Sequence, residues 1–199
     1  MATATKNGAT PTMMIELPKL NLQTLKLRIE GRTPLISHRW SEKAKKEILD
    51  KQMKKAKQAK SAKDPEKEYK DSLYVHPDGG FGFPAHAFKL AAVTAVSQIS
   101  GLTKVFTKGT FQVSPDQELV PIEGELLMRE DMVRIGMGVA DIRYRGAFAN
   151  WATTLDIIYN AQAISAEQIA NLLNTAGFAV GVGEWRPEKN GSKGMFRVA

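Results

Sequence analysis

The residues best suited to chemistry lie at the end of the chain. Gly177-Phe-Ala-Val-Gly-Val-Gly-Glu-Trp-Arg-Pro-Glu-Lys-Asn-Gly-Ser-Lys-Gly-Met-Phe-Arg-Val-Ala199 carries five glycines among aromatic and basic side chains. Glycine lets backbone amides approach a ligand closely, and cations beside such a turn suit a phosphate chain. Gly181, Gly183, Arg186, Lys189 and Lys193 are therefore candidate polyanion contacts, and Trp185, between Glu184 and Arg186, is a candidate stacking ring. A plain connecting turn would use the same glycines. The order helix, glycines, strand excludes a dinucleotide fingerprint, in which the glycines follow a strand and open a helix. The Gly-Lys-Ser/Thr of a phosphate-binding P-loop is absent.

Arg143-Tyr144-Arg145 is the second candidate. On a strand both arginines point to one face, where they would grip successive phosphates, although charge defending an exposed strand edge reads the same way. Residues 41–63 hold nine lysines against Glu42, Glu47 and Asp50, so nearly all of the chain's net +7 sits there. Local positive charge is what nucleic-acid binding uses, and Lys51, Lys54 and Lys55 join the list of contacts; a solvated helix face is the alternative. His38-Arg39-Trp40 sets a titratable group beside a cation and a ring. His38 and His86 are the available general bases for RNA cleavage, but neither has a partner legible in sequence. Scattered histidines and the pair Glu123 and Glu125 do not make a metal site, so no metal or cofactor is expected.

These residues must be held by a core, and 199 residues with 43% hydrophobic content suffice for one domain. No apolar run is long enough to span a membrane, and no secretory signal pattern opens the chain. Zero cysteines exclude disulfides and thiolate chemistry and fit a cytoplasmic setting. Residues 1–20 read as a disordered tail and 21–199 as one domain with a helical insertion at about 41–72.

Period-two alternation predicts a strand over 22–30, with Leu25, Leu27 and Ile29 inward. Ser41 caps a lysine-rich helix running to about residue 62, and Pro84 opens an apolar helix that Gly101 stops. Strands are expected over 104–113, 118–129, 140–144 and 151–159. A Ser165…Gln168 capping box starts a helix through Ala176, and a last strand covers 195–198. Without its insertions this is an α+β fold, a ferredoxin-like (RRM-like) β-α-β-β-α-β core with an inserted lysine-rich helix and an extra β-hairpin.

On three segments the chain resembles the RAMP superfamily, the RNA-recognition-like proteins of CRISPR effector and processing complexes. They are the strand end Glu30-Gly-Arg-Thr-Pro-Leu-Ile36, the helix start Phe83-Pro-Ala-His-Ala-Phe-Lys89, and the loop from Gly181-Val-Gly183 to Gly191-Ser-Lys-Gly194. The likeness runs in outline over residues 22–199, and it departs from the family in the Glu-Trp-Arg-Pro of the loop and in the lysine-rich insertion. The resemblance implies that Lys89 contacts the ligand, and Arg39, the cation beside His38, is a further candidate contact. It also implies that several copies of the chain assemble along one strand, as a homo-oligomer with a protein partner in a ribonucleoprotein complex. The chain is also similar to short proteins of bacterial viruses that end in a Gly-x-Gly-Glu-x-Arg-Pro loop, which implies the cytoplasm of a bacterial host.

The expected function is non-enzymatic binding of single-stranded nucleic acid, RNA or DNA, in a positive groove shared by the closing loop and the arginine strand. The alternatives are a RAMP-type endoribonuclease using His38 or His86, and a viral protein that binds or mimics a host protein complex.

Overall fold

The computed structural model describes residues 18–55, 62–136 and 138–199. Most of the expected N-terminal tail and the far end of the expected lysine helix lie outside the described residues.

Alternating apolar residues make β1 (Leu22–Gly31), and the break at Pro34 turns the chain into β2 (Leu35–Ile36). Ser41 caps α1 (Glu42–Gln52), its hydroxyl accepting from the Ala44 amide; the helix buries none of its residues. Met53 ends it and Lys54 adopts a positive φ, so within the described residues the helix stops short of the expected boundary. Asp64 and Pro65 do not terminate a helix here; they start one. The Asp64 carboxylate accepts from the Lys67 amide and Pro65 takes the first-turn position of α2 (Pro65–Asp71).

Strands β3 (Tyr74–Val75) and β4 (Phe81–Pro84) flank the glycine turn at 76–80, and with β6 (Leu119–Pro121) they form a small second sheet. Helix α3 (Ala85–Ala95) follows, buried on the alanine face. The strand expected at 104–113 is in its first part a helix. Thr103 caps α4 (Lys104–Thr110), and only β5 (Phe111–Val113) is extended. The Thr103 hydroxyl, bonded to the Phe106 amide, starts a helix in place of the expected strand.

The strands expected at 140–144 and 151–159 are one element, β8 (Val139–Asn160), paired along most of its length with β7 (Glu123–Ile135). Asn150 takes a positive φ and the register slips between Glu123 and Glu125. This bulge reverses the inward parity, so Phe148 and Trp151 are both buried although three residues apart. The same reversal hides the strand's continuity from a period-two reading.

A capping box at Ser165 and Gln168 opens α5 (Ala166–Ala179), and β9 (Phe196–Val198) closes the chain. Strands β9, β1, β8 and β7 pair antiparallel in that order. Each of the two crossovers, through α3 and through α5, skips one strand, which defines the ferredoxin-like arrangement. The core joins both helices to the sheet. The Phe88 ring of α3 meets Phe196 at 5.6 Å and Trp151 at 6.4 Å between centroids. At Gly177 a Cβ would lie 2.0 Å from the Phe196 carbonyl oxygen, so α5 rests directly on the backbone of β9. Among the described residues no helix is long and apolar enough to cross a membrane.

Candidate nucleic-acid interface

The glycine-rich loop leaves the end of α5 at Val180 and folds back on itself. Gly181, Gly183 and Gly194 have positive φ, and so do Trp185 and Asn190. Its amides are largely consumed internally. Val182 donates to Gly194, Lys193 to the Trp185 carbonyl and Gly191 to that of Arg186. Two further bonds pin the loop to the β1–β2 turn, from Gly194 to Pro34 and from Glu184 to Ile36. The glycines thus serve close backbone packing. A Cβ on Gly191 would stand 1.8 Å from the Trp185 oxygen, and one on Gly194 would stand 1.7 Å from that of Val182. A nest of free amides, expected from the glycine count, is not what this loop presents. The stem at Gly181, Val182 and Gly194 is buried, while Trp185, Lys189 and Asn190 are exposed at the tip.

A cleft of about 240 Å³ lies between this loop and α3. His38 and His86 both line it, with Tyr74, Glu184, Arg186 and Glu188. His38 Nδ1 donates to Glu184 Oε1 at 2.9 Å across 146 residues of sequence. This is the partner that sequence reading could not find, because only the fold brings residue 184 beside residue 38. The Glu184 carboxyl is held below the usual carboxylate range by the His38 hydrogen bond. Burial opposes that shift, and the charges of His38, Arg145 and Arg186 add to it.

The groove is nevertheless not simply positive. Arg186 is spent on Glu188 (2.7 Å from Nη2) and on the Gly183 carbonyl (3.1 Å). Register places Arg143 and Arg145 on one face as expected, but each meets an acid from its own hairpin. Arg143 pairs with Asp141 at 2.9 Å, and Lys63 holds the same carboxylate at 2.5 Å. The Arg145 side chain is only 8% exposed, with Nη1 3.8 Å from Asp131 Oδ2; Arg129 holds the other oxygen of Asp131 at 2.7 Å. Arg145 is therefore a buried charge rather than an open grip on phosphate. Lys89 also turns inward. Its ammonium donates to the Phe111 and Lys108 carbonyls and lies 4.3 Å from the centre of the Phe111 ring, tying α3 to α4 and β5. Burial pushes it down to about 8.

Lys51, Lys54 and Lys55 face solvent, while Arg39 is partly buried. Lys51 and Lys54 make no ion pair among the described residues, and Lys55 meets Asp50 at 3.1 Å. Arg39 lies 3.8 Å from Glu42 at the start of α1. Beside it Trp40 is 55% exposed, a ring the candidate list lacks; Trp185 is 43% exposed. The His38–Glu184 bond sets the segments carrying these two rings next to each other at the cleft. Glu123 is held by both Nη atoms of Arg28, and the register shift separates it from Glu125. Among the described residues no group of three metal-ligating side chains is placed to hold an ion.

No protein-family model matches the chain, and no curated protein matches it in sequence. Solved structures similar to it in fold include two from CRISPR complexes or their subunits. A chain of the Type III-B Cmr-beta complex bound to cognate target RNA superposes with a TM-score of 0.47 at 11% identity, over 89% of this chain and 59% of that one. Cmr6 from Pyrococcus furiosus superposes with a TM-score of 0.44 at 8% identity, over 91% of this chain and 100% of that one. The present chain thus spans about three fifths of the first of these. The ferredoxin-like assignment rests on the strand order itself.

Proposed function

We propose that this chain binds single-stranded nucleic acid without cleaving it, on the face where the glycine-rich loop meets the His38–Trp40 segment. The observation that carries this reading is that the His38–Glu184 bond joins two segments that each carry an exposed indole, Trp40 next to Arg39 and Trp185 on the loop that also carries Lys189 and Lys193. Large rings left in water next to cations suit unpaired bases, which stack for about 1–3 kcal/mol each while the cations meet phosphates. Helix α1 starts just after Trp40, and its lysines extend the path of positive charge. The sequence likeness to RAMP proteins favours RNA as the ligand and side-by-side copies on one strand, within a ribonucleoprotein of a bacterial host cell. The Gly-x-Gly-Glu-x-Arg-Pro loop favours carriage by a bacterial virus.

The test uses intrinsic fluorescence. Trp151 is buried, so quenching by an added single-stranded oligonucleotide would report Trp40 and Trp185. Trp185→Ala should remove part of the quench and weaken binding roughly tenfold, which corresponds to one lost stack. Binding unchanged in Trp40→Ala and Trp185→Ala together would reject this site.

One observation favours a second reading, RNA cleavage. His38 and His86 line the same cleft, and Glu184 fixes the His38 ring through Nδ1, leaving Nε2 to take a proton. In that reading one histidine accepts the proton of a ribose 2′-hydroxyl as the oxygen attacks the adjacent phosphorus. The other histidine gives a proton to the departing 5′-oxygen. An RNA substrate cut by the wild type, spared by His38→Ala, and resistant when its 2′-hydroxyl is absent would establish it. An uncut RNA that still binds leaves the first reading in place.

A further inference from the structure

A second cleft opens between α5 and β9. It measures about 430 Å³ and is lined by Arg32, Asn174, Phe178, Phe196, Arg197 and Val198. Two of these are unusual for a plain surface groove. Phe178 is 72% exposed, although it sits next to Gly177, the point of tightest contact between helix and strand. Arg32 is exposed and makes no ion pair among the described residues. Its neighbour Arg197 is engaged by Glu30, at 2.8 Å from Nη2 and 3.1 Å from Nε. Asn174 accepts the Val198 amide at 2.8 Å through Oδ1, so its NH2 group keeps its donors.

The two clefts are joined by backbone. The Arg32 amide donates to the Met195 carbonyl at 2.8 Å, and Gly194 donates to Pro34. The turn carrying Arg32 is thus bonded directly to the descending arm of the loop that carries Lys193. A free arginine beside an exposed ring, reached from the first site past another cation, matches one further unit of a phosphate-linked strand.

We propose that the α5–β9 cleft is a second nucleotide subsite, in which one base stacks on Phe178 and its phosphate meets Arg32. The inference rests on the nucleic-acid-binding reading above and lengthens its track. The phosphate belongs on the Arg32 side, because Phe178 lies in the last turn of α5, where the helix dipole is negative and repels anions.

The experiment compares a short oligonucleotide of about 5 nucleotides with one of about 15, a span that brackets single-strand site sizes. Wild type, Phe178→Ala, Arg32→Ala and Phe178→Tyr are each titrated by fluorescence anisotropy, with melting curves as the folding control. Phe178→Ala and Arg32→Ala should each weaken binding of the long strand by roughly tenfold and leave the short one within about twofold. Phe178→Tyr should keep wild-type affinity because it keeps the ring. Equal affinities across all variants, in a wild type that does bind, would overturn this subsite alone. A wild type that binds neither strand would overturn it together with the parent reading. Unchanged strand binding combined with loss of a self-associated species in Phe178→Ala would instead make the cleft a contact between copies.

Discussion

At the scale of single residues, what a glycine or a lysine does here follows from what surrounds it. Gly194 has a φ of +64°, and a Cβ there would collide with the Val182 carbonyl. Gly194→Ala should therefore cost on the order of 2 kcal/mol or more, since a strained left-handed residue alone costs about 1–3. A melting temperature matching wild type would show that the loop can refold around the methyl. Lys89 makes a different kind of prediction. Its folded pKa is pushed down to about 8, below its value in an unfolded chain, so in the alkaline range between them the unfolded state binds the extra proton. Stability contributed by this lysine then rises with pH above about 8, because the desolvation cost of the ammonium disappears as it deprotonates. Melting curves of wild type and Lys89→Met should diverge in favour of wild type over that range. A pH-independent difference would mean that the ammonium is solvated after all.

At the scale of elements, the β7–β8 hairpin explains why the arginine pair is not an open grip. Asp131 sits opposite Arg143 in the ladder and is buried together with Arg145. Removing one member of such a cluster strands a charge, at about 3–5 kcal/mol for a fully buried pair. Asp131→Ala should thus destabilise the fold by a few kcal/mol, whereas Arg143→Ala, half-exposed on Asp141, should cost under about 1. Equal effects in denaturant titrations would contradict this ranking. The contrast also marks what was readable in advance. Strand β1, the apolar face of α3, the capping box of α5 and the closing strand each depend on residues a few positions apart, and local pattern revealed them. Helix α2 and the helical start of the 104–113 segment turned on single capping side chains. The continuity of β8 turned on one bulge at Asn150. The His38–Glu184 contact joins segments 146 residues apart, so no local pattern encodes it, whereas Asp141 lies two residues from Arg143 on one strand and Glu188 two residues from Arg186.

At the scale of the whole molecule, the positive charge is an appendage rather than a lining. Helix α1 buries none of its residues, and Lys51 and Lys54 are exposed with no ion pair among the described residues, whereas Arg143, Arg145 and Arg186 are met by Asp141, Asp131 and Glu188. The division of labour expected from this is that rings beside the cleft hold bases while the helix collects phosphates. Each phosphate neutralised on a single strand contributes about 0.7 to the slope of log affinity against log salt. Replacing Lys51, Lys54 and Lys55 by alanine should therefore flatten that slope by up to about 2. Trp185→Ala should lower affinity without changing the slope, because stacking releases no counterions. Titrations at several salt concentrations separate the two contributions. A triple-lysine variant with an unaltered slope would show that α1 points away from the strand, and the phosphate contacts would then have to come from Lys189 and Lys193 on the loop.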